Sequence, residues 1–241
     1  MDTIKVGFAN VIAHRGLSGI ERENTASAFV AAGNRRYVGI ETDVHVTSDG
    51  KYILIHNDDT EFVAGDKLHV EETSYDTLRA LKLFDMDGTK DRADLKLPNL
   101  TEYIRICKRY GKLCVLELKN AFTEKQVVEI AETFVREEYL SGAIFISFVY
   151  DNLVYLKKHF PEQPAQFLTD APYEDTLIDK LKAHDLDLDI HHSRLTADNV
   201  KALHAAGIVI NCWTVDKPEV AERLAGYGVD YITSNILEPK A

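Results

Sequence analysis

The chain has 241 residues, of which 45% are hydrophobic, and it carries 28 Lys and Arg residues against 39 Asp and Glu residues, a formal net charge of −11. The length is ordinary for one α/β barrel and sufficient for a large core. The negative charge argues against nucleic acid or an anionic membrane as the main partner, because both repel a negative surface. A small anionic substrate is still compatible with this charge, since a bound cation reverses the field within a cleft.

The three cysteines, Cys107, Cys114 and Cys212, form no CxxC pair and are odd in number. They are typical of small apolar side chains in a reducing compartment. The N-terminal segment lacks a charged region followed by a long apolar stretch, and no apolar run approaches the ~20 residues of a membrane-spanning helix. We therefore expect a cytoplasmic protein with no stable membrane insertion, and the sequence leaves its oligomeric state open.

Nine short segments, most of them rich in Ile and Val, have the composition of β-strands. In chain order they span residues 6–14, 38–44, 52–56, 113–119, 143–148, 165–169, 186–190, 208–215 and 229–233. Amphipathic stretches separate most of them, with helix-start residues at Asn24 or Thr25, Asn99, Thr123, Thr196 and Pro218. This alternation predicts an α/β fold with a parallel sheet, closed as a (β/α)8 TIM barrel.

Two features depart from a regular barrel. There is one strand candidate too many, and the turn TSDG at residues 47–50 joins residues 38–46 directly to 52–56. A parallel crossover needs a dozen or more residues, so these strands must pair antiparallel or one of them must leave the barrel wall. The polar segment at about 57–97 is long for a loop, and we interpret it as a small insertion after the second β unit, with a short helix at 73–81. We expect residues 1–241 to form a single domain.

Residues suited to chemistry stand at the ends of several candidate strands, where catalytic groups gather in such barrels. They are His14 and Arg15, Glu41 and Asp43, His56, Glu117 and Lys119, Ser147 and Phe148, and Trp213. An acidic pair in a strand, or one His at a strand end, is more often structural when it occurs alone. The combination at one end of a barrel favours a functional site.

The acidic residues at these strand ends predict a metal site. Side chains alternate along a strand, so Glu41 and Asp43 share one face, and Glu117 shares a face with Lys119. Three carboxylates in one cavity repel one another, and a divalent cation removes that repulsion. Carboxylate oxygens suit hard ions such as Mg²⁺ or Ca²⁺.

The series IAHRG, ENTASAF, IETDVHVTSDGKYILIH, LELK and INCWTVD resembles the glycerophosphodiester phosphodiesterase family, and the resemblance runs from His14 to about Asp230. It implies a (β/α)8 barrel with an insertion. It further implies an enzyme of lipid and glycerol metabolism, a metal-dependent phosphoric diester hydrolase that converts glycerophosphodiesters to glycerol 3-phosphate and an alcohol. The expected cofactor is one divalent cation, Mg²⁺ or Ca²⁺, and the expected partner is the small-molecule substrate.

The matching motifs also imply roles for individual residues. The metal ligands are Glu41, Asp43 and Glu117. The acid–base pair is His14, which we take as the base, and His56, which we take as the acid. Phosphate contacts come from Arg15 and Lys119, with support from Glu23 and Asn24. We expect Trp213 and Phe148 to wall the glycerol moiety, although core packing explains such aromatics equally well. The resemblance suggests that a glycerol hydroxyl attacks phosphorus to give a cyclic phosphate, which water opens.

Three positions depart from the family pattern. The usual Pro before ENT is Arg22, the usual Asp after the strand-end His is Asn57, and the closing Thr-Asp-x-Pro reads Thr233-Ser234-Asn235-Ile236. Arg22 is expected to change only a turn, whereas Asn57 alters the surroundings of His56. The closing change affects the barrel rim near His14. None of the three removes an expected metal ligand or catalytic histidine.

Two other stretches carry competing interpretations. LFDMDGT at residues 83–89 resembles the nucleophile loop of haloacid-dehalogenase-type phosphatases, with Asp85 as the phosphorylated residue. That reaction needs the Asp at the end of a buried strand, and the preceding TLRALKL has a helical pattern, so we interpret the stretch as a polar turn. DLDLDIHH at residues 185–192 is interpreted as a barrel strand with one hydrated face rather than as a second metal site.

Two alternative functions stay open. A related class of single-metal barrel phospholipases acts on intact phospholipids outside cells, although the lack of a signal peptide and of a disulfide framework weighs against that class. A barrel also serves as a non-catalytic ligand-binding protein, because this fold does not fix function. Hydrolysis of glycerophosphocholine in the presence of metal distinguishes the enzyme from the binding protein.

Overall fold

Parallel strands close into a barrel in the computed structural model, which describes residues 2–8 and 10–240. In chain order the strands are β1 (Ile4–Val6), β2 (Val11–Ala13), β3 (Gly39–Val46), β4 (Tyr52–Leu54), β5 (Leu113–Leu118), β6 (Ala143–Ser147), β7 (Ala165–Thr169), β8 (Asp187–His191), β9 (Ile210–Trp213), β10 (Tyr231–Ser234) and β11 (Leu237–Pro239). The barrel wall consists of β2, β3 and β5 to β10, and it closes because β2 pairs with both β3 and β10. The predicted (β/α)8 barrel is therefore confirmed, while Ala9 of the first candidate strand lies outside the described residues.

The helices are α1 (Ala26–Gly33), α2 (Glu61–Ala64), α3 (Tyr75–Ala80), α4 (Leu100–Tyr110), α5 (Glu124–Arg136), α6 (Tyr150–His159), α7 (Thr176–Lys182), α8 (Ala197–Ala205) and α9 (Pro218–Tyr227). Thr25 caps α1, since its side chain accepts a hydrogen bond from the backbone N–H of Ala28. Capping boxes start α4, α5 and α8, at Asn99, Thr123 and Thr196. Across residues 2–8 and 10–240, no helix combines the length and the apolar character needed to cross a bilayer.

Two barrel helices were not predicted from the sequence. Neither α6 nor α7 has a side-chain hydrogen bond at its N-cap, where Val149 and Asp175 stand. For α6 the sequence lacks the usual start signal, because Val149 cannot cap, and the helix depends instead on packing against the sheet. For α7 the residue type is suitable, but the side chain of Asp175 makes no capping bond. Leu153 and Leu156 of α6 are fully buried against the barrel, which supplies that packing.

The extra strand candidate is β4, which pairs antiparallel with β3 through Val44 opposite Leu54 and Val46 opposite Tyr52. It extends the sheet outside the closed wall, so the eight parallel strands stay complete. The short TSDG turn allowed antiparallel pairing or a strand outside the wall, and β4 shows both. His56 lies two residues after the end of β4, and the hairpin therefore brings it back beside the end of β3.

The segment between β4 and α4 folds over the barrel with a small core of its own. Its buried members are Ile53, Ile55, Val63, Ala64, Val70, Leu78, Leu83, Leu95 and Leu97. Arg22 ties this segment to the loop before α1, because its Nε donates to the carbonyl of Phe84 at 2.6 Å and its Nη2 to the carbonyl of Asp85 at 2.9 Å. The residue that replaces the family proline thus links the segment to the barrel. The insertion boundaries and the single-domain organisation stay predictions.

Strand alternation separates an outer apolar core from the barrel interior. Ile40, Val44 and Leu116 belong to the main core. A second apolar cluster fills the interior, formed by Ile12, Val115, Ile144, Ile146 and Leu168. Because Glu41 and Asp43 alternate with Ile40 and Val44 along β3, the two carboxylates face the interior.

The buried hydroxyl of Tyr103 joins α4 to the strands that carry the acidic residues. It donates to the carbonyl of Ile40 at 2.6 Å and lies 3.3 Å from the carbonyl of Val115. We expect Tyr103→Phe to lower the free energy of unfolding by about 1 kcal/mol, the usual net value of one such bond, as measured by urea unfolding. The control is Tyr110→Phe, whose exposed hydroxyl accepts only from Asn34. Equal effects of the two substitutions would contradict the prediction.

Candidate active site

A cavity of about 270 Å³ opens at the carboxyl ends of the barrel strands. Its lining comes from nearly every part of the wall: His14, Arg15, Glu41, His56, Glu117, Lys119, Ile146, Phe148, Leu168, Asp189, Trp213, Thr214 and Thr233. Most residues predicted for the site therefore meet here. Ser147 is an exception, because it is buried outside the cavity with its hydroxyl bonded to the carbonyl of Leu118 at 2.7 Å.

Three carboxylates converge at one side of this cavity. Asp43 on β3 lies directly opposite Glu117 on β5 in the sheet register, and Glu41 lies two residues before Asp43 on the same face. One oxygen from each of the three lies within 4.8 Å of the others. All three residues are buried. The register of two neighbouring strands thus produces the cluster that the acidic spacing predicted.

Hydrogen bonds fix the orientation of the carboxylates on β3. The backbone N–H of Arg15 donates to Glu41 Oε2 at 2.8 Å, and Asn24 Nδ2 donates to Asp43 Oδ2 at 2.8 Å. Asn24 is itself held by Thr42, whose hydroxyl donates to Asn24 Oδ1 at 2.6 Å. Arg15 and Asn24 both adopt left-handed backbone conformations, with φ of 53° and 52°, so the loop turns sharply enough to present these donors.

The carboxylates differ in their affinity for protons. Burial, followed by the negative charge of Asp43, raises the pKa of Glu117 to about 8. Burial and the charges of Asp43 and Glu117 likewise raise the pKa of Glu41. Burial opposes the ionisation of Asp43 as well, but the positive charges of Lys119 and Arg15 and the hydrogen bond from Asn24 outweigh it and lower the pKa of that carboxyl. Asp43 is therefore the carboxyl of the cluster that ionises most readily.

The cluster fits a hard divalent cation. Asp43 Oδ1 is buried and has no hydrogen-bond partner among the described residues, which is costly for an ionised oxygen. The raised pKa values of Glu41 and Glu117 show that negative charge is undercompensated here. An all-oxygen donor set of carboxylates is typical of Mg²⁺ or Ca²⁺ sites. A bound cation would occupy the free oxygen and allow all three groups to ionise.

Two histidines line the cavity beside the carboxylates. His14 Nε2 lies 3.9 Å from Glu41 Oε2. His56, which comes after β4 in the chain, lines the same cavity. Burial, and then the positive charge of Arg15, lower the pKa of His14 to about 4. Burial also lowers the pKa of His56. Both imidazoles are therefore neutral at pH 7, and each can accept a proton.

Arg15 and Lys119 add positive charge to the same cavity. Lys119 Nζ lies 3.0 Å from Glu117 Oε1, and although burial disfavours its charge, the carboxylates of Asp43 and Glu117 raise its pKa. Arg15 Nη1 donates to Glu23 Oε1 at 3.0 Å, which orients the guanidinium. Glu23 thus contacts a cavity residue without lining the cavity itself. Both cations are placed to attract an anionic group.

An aromatic and aliphatic wall faces these charged groups. Trp213 and Phe148 meet edge to face, with ring centroids 5.6 Å apart, and Phe148 is 42% exposed. His191 packs against the other side of Trp213, at 5.3 Å between ring centroids. Ile146 and Leu168 complete the wall. The cavity is therefore charged on one side and apolar on the other, as a small organic anion requires.

Asp189 is a cavity residue that the sequence interpretation missed. The prediction that residues 185–192 contain a barrel strand is confirmed. The prediction that one face of this strand is hydrated is wrong for Asp189, whose side chain is buried, with 1% exposure. It faces the interior and accepts from Asn211 Nδ2 at 3.0 Å through Oδ2, and Oδ1 has no hydrogen-bond partner within the part of the chain that the structure describes. Burial, and then the charge of Glu117, raise its pKa well above the ordinary value. The alternation of Asp with Leu and Ile along β8 was the signal available in the sequence. It marks Asp189 as one of a row of side chains that face the barrel interior.

The raised pKa of Asp189 predicts a pH-dependent stability difference. The folded protein holds this proton to higher pH than the unfolded chain, so wild-type stability falls as pH rises above about 4, the ordinary Asp value. Asp189→Asn removes that titration and keeps an acceptor for Asn211. We expect the variant to be more stable than wild type at pH 8 in the presence of chelator, with the difference vanishing near pH 4. Thermal melts across this pH range test it, and a constant difference would contradict it.

The loop at residues 83–89 is a hydrogen-bonded turn, as predicted. The N–H of Asp85 donates to the carbonyl of Thr89 at 2.8 Å, and the N–H of Gly88 donates to the carbonyl of Asp85 at 3.0 Å. Asp85 stands at no strand end and does not line the cavity. Within residues 2–8 and 10–240, the carboxylates of Glu41, Asp43 and Glu117 form the one cluster of His, Cys, Asp and Glu whose geometry suits a metal ion.

Comparison with known proteins assigns the family. A sequence model of the glycerophosphoryl diester phosphodiesterase family matches residues 14–238. The chain is 26% identical, over 230 residues, to the glycerophosphodiester phosphodiesterase of Caldanaerobacter subterraneus subsp. tengcongensis, and the match covers 93% of each chain. An Oleispira antarctica phosphodiesterase, solved in complex with the product sn-glycerol-3-phosphate, superimposes with a TM-score of 0.87 at 26% identity, covering 94% of this chain and 93% of that one. The glycerophosphodiester phosphodiesterase of Thermotoga maritima shares the fold, with a TM-score of 0.76 at 22% identity over 95% of both chains. The match over nearly the whole chain shows that it belongs to the glycerophosphoryl diester phosphodiesterase family.

Proposed function

We propose that the protein hydrolyses glycerophosphodiesters to glycerol 3-phosphate and an alcohol, with one divalent cation as its cofactor. One observation carries the proposal. In a member of this family, two neutral histidines, an arginine, a lysine and the carboxylates of Glu41 and Glu117 line a single cavity, and an oxygen of buried Asp43 lies within 4.8 Å of an oxygen of each glutamate. The product named for the Oleispira antarctica relative, sn-glycerol-3-phosphate, supports the same chemistry. The substrate is therefore a small molecule with an anionic phosphodiester and a glycerol moiety.

The charged side of the cavity binds the phosphodiester. Glu41, Asp43 and Glu117 hold the cation, Mg²⁺ or Ca²⁺, which when bound withdraws negative charge from the phosphate. Arg15 and Lys119 contact the phosphate oxygens from the same side. Trp213 and Phe148 cover the glycerol carbons, and Glu23 and Asn24 hold Arg15 and Asp43 in place.

The two histidines move the protons. His14 Nε2 takes the proton of a glycerol hydroxyl as its oxygen bonds to phosphorus, while the bond to the leaving alcohol breaks. His56 gives a proton to the leaving alkoxide. The bound phosphodiester carries a negative charge that offsets Arg15 and Lys119, so substrate binding raises the proton affinity of His56 and prepares it to act as the acid. Water then attacks phosphorus and gives a proton to His56, while the bond from phosphorus to the attacking glycerol oxygen breaks and His14 returns its proton to that oxygen, which yields glycerol 3-phosphate.

The test is an assay of the purified protein with glycerophosphocholine and Mg²⁺, in which glycerol 3-phosphate is detected by a coupled oxidation. We expect product to form in proportion to enzyme. Parallel reactions with phosphatidylcholine vesicles test the phospholipase alternative, and calorimetric binding without turnover would indicate a ligand-binding barrel. Absence of glycerol 3-phosphate under all metal conditions would refute the proposal.

Asp85→Asn separates this chemistry from an aspartyl-phosphate mechanism. Asp85 lies in an exposed turn outside the cavity, so we expect the variant to keep kcat within about twofold of wild type, as a surface substitution does. Steady-state hydrolysis of glycerophosphocholine measures it. A loss of a hundredfold or more would show instead that the turn takes part in catalysis.

A cytoplasmic location is also part of the proposal. It is supported by the three cysteines, all of them buried as free thiols, which a reducing compartment preserves.

A further inference from the structure

The second ring nitrogen of His14 is held from outside the cavity by a chain of polar side chains. His14 Nδ1 lies 2.7 Å from Asn235 Oδ1, on a residue that follows β10. Asn235 Nδ2 in turn donates to Asp216 Oδ2 at 2.7 Å, and Asp216 follows β9. Three strand ends that are adjacent in the closed barrel, those of β2, β10 and β9, thus supply one hydrogen-bonded series.

Asp216 decides which way the amide of Asn235 points. An ionised carboxylate only accepts hydrogen bonds, so the amide must direct its N–H₂ group to Asp216 and its oxygen to His14. Asp216 Oδ1 also accepts from the backbone N–H of Asn235 at 2.8 Å and from the hydroxyl of Ser234 at 2.9 Å. With both oxygens occupied by donors, the carboxylate holds a fixed position.

The orientation of Asn235 decides where His14 carries its proton. Asn235 Oδ1 has no hydrogen to give, so the bond to His14 requires a proton on Nδ1. Ser18 Oγ lies 2.8 Å from the same oxygen and also 2.8 Å from the carbonyl of His14, so its single proton is shared between two acceptors, and the orientation of the amide is set by Asp216. In a neutral imidazole with Nδ1–H, the lone pair is on Nε2, the atom that faces Glu41 and the cavity.

We propose that Asn235, oriented by Asp216, is a positioning residue that keeps His14 in the Nδ1–H tautomer with Nε2 directed at the substrate. The inference rests on the proposed function, in which His14 is the base, and it names what makes His14 competent for that role. It also gives a structural role to Asn235, which lies within the altered closing motif Thr233-Ser234-Asn235-Ile236.

His56 provides the contrast. Its Nδ1 lies 2.7 Å from Asn57 Oδ1, but within the described residues no further side chain bonds to the amide of exposed Asn57. That amide is free to rotate and to present either its oxygen or its nitrogen. His14 is therefore held in one tautomer, which suits a base. His56 can exchange between protonation forms, which suits an acid that must regain its proton in each turnover.

The test combines kinetics with a spectroscopic readout of the tautomer, on protein loaded with Mg²⁺. In ¹⁵N-histidine-labelled protein, long-range ¹H–¹⁵N spectra distinguish protonated from bare ring nitrogens, and loss of signals in His14→Gln assigns His14. We expect Nδ1–H in wild type. In Asn235→Ala we expect a mixture containing Nε2–H, with kcat for glycerophosphocholine about 10²-fold lower and KM within about twofold. The double variant Asn235→Asp/Asp216→Asn keeps an acceptor for His14 and reverses the donor and acceptor between positions 235 and 216, so it should restore both the Nδ1–H signal and most of kcat.

Two further variants sharpen the test. Ser18→Ala is the matched control, because it removes the hydroxyl beside Asn235 Oδ1 and the carbonyl of His14 but leaves the bond between Asn235 and Asp216 intact, and we expect a normal tautomer and kcat. Asp216→Asn replaces a carboxylate oxygen, which only accepts, with an N–H₂ group that can donate to Asn235. The amide of Asn235 can then turn its own N–H₂ group toward His14, and this orientation favours the Nε2–H tautomer of His14. This variant serves if Asn235→Ala fails to fold.

The outcomes separate the two proposals. An unchanged His14 tautomer in both Asn235→Ala and Asp216→Asn would overturn the positioning role, whatever the activity. Unchanged kcat in a folded Asn235→Ala variant with an altered tautomer would overturn its catalytic relevance. If wild-type protein hydrolyses no glycerophosphodiester, the proposed function fails, while the tautomer spectra still decide the role of Asn235.

Discussion

His14→Ala and His56→Ala are each expected to lower kcat for glycerophosphocholine by at least about 10²-fold. Both imidazoles line the cavity beside the carboxylate cluster, and a positioned proton transfer typically contributes about 10²–10⁴-fold. Steady-state kinetics at saturating Mg²⁺ measure the loss, and thermal melts establish that the variants fold. The control is His159→Ala, since His159 is a surface residue that bonds Glu124 at 2.6 Å outside the cavity.

A change of leaving group distinguishes the two histidines. A nitrophenyl ester of glycerol phosphate departs without protonation, because nitrophenolate is a stable anion. If His56 is the acid, His56→Ala recovers most of its activity on this substrate, whereas His14→Ala stays impaired because the attacking hydroxyl still needs a base. The opposite pattern would exchange the two roles. Near-normal turnover of glycerophosphocholine by either alanine variant would remove that residue from the mechanism.

Chelation is expected to abolish activity, and Mg²⁺ or Ca²⁺ is expected to restore it. Glu41, Asp43 and Glu117 form a buried cluster in which Asp43 Oδ1 has no hydrogen-bond partner among the described residues, and without a cation burial and mutual repulsion keep the pKa values of Glu41 and Glu117 high. A cation that binds only the folded protein also stabilises it, by about 2.7 kcal/mol at a hundred times its Kd. A rise in Tm on addition of Mg²⁺ therefore accompanies the return of activity.

The pKa of Glu117 gives this prediction a pH dependence. In chelator the folded protein holds the Glu117 proton to about pH 8, while the unfolded chain loses it near 4.5, so Glu117 makes stability fall as pH rises between these values. Cation binding must displace that proton, so the apparent affinity for Mg²⁺ should weaken as pH falls below 8.

Variants of the cluster test the cation site directly. Asp43→Asn should lose both the activity and the Mg²⁺-dependent rise in Tm. Asp85 is an acidic residue of a turn outside the cluster, so Asp85→Asn should keep both. Full activity in chelator, or a Tm of the Asp43 variant that still responds to Mg²⁺, would contradict the carboxylate site. Comparison of Mg²⁺ with Ca²⁺ in the same melts identifies the preferred ion.

Local rules in the sequence predicted many of the elements and part of the site. Thr25, Asn99, Thr123 and Thr196 cap helices because their side chains bond to backbone N–H groups within a few residues, which needs no distant partner. The same local periodicity placed Glu41 and Asp43 on one face of β3. The helix α6 was missed because Val149, at its N-cap, gives no start signal and the helix depends on packing against the sheet.

The sequence by itself determined the alternation of strands and helices, the acidic pair on β3, and the family resemblance of the motifs. Tertiary structure alone decided that β4 lies outside the barrel wall, that Asp189 faces the cavity, and that Asn235 contacts His14 across 221 positions of the chain. The reason is barrel closure. Pairing of the last wall strand with the first joins residues with no local relation, and a spacing rule within one strand or helix contains no information about such a contact.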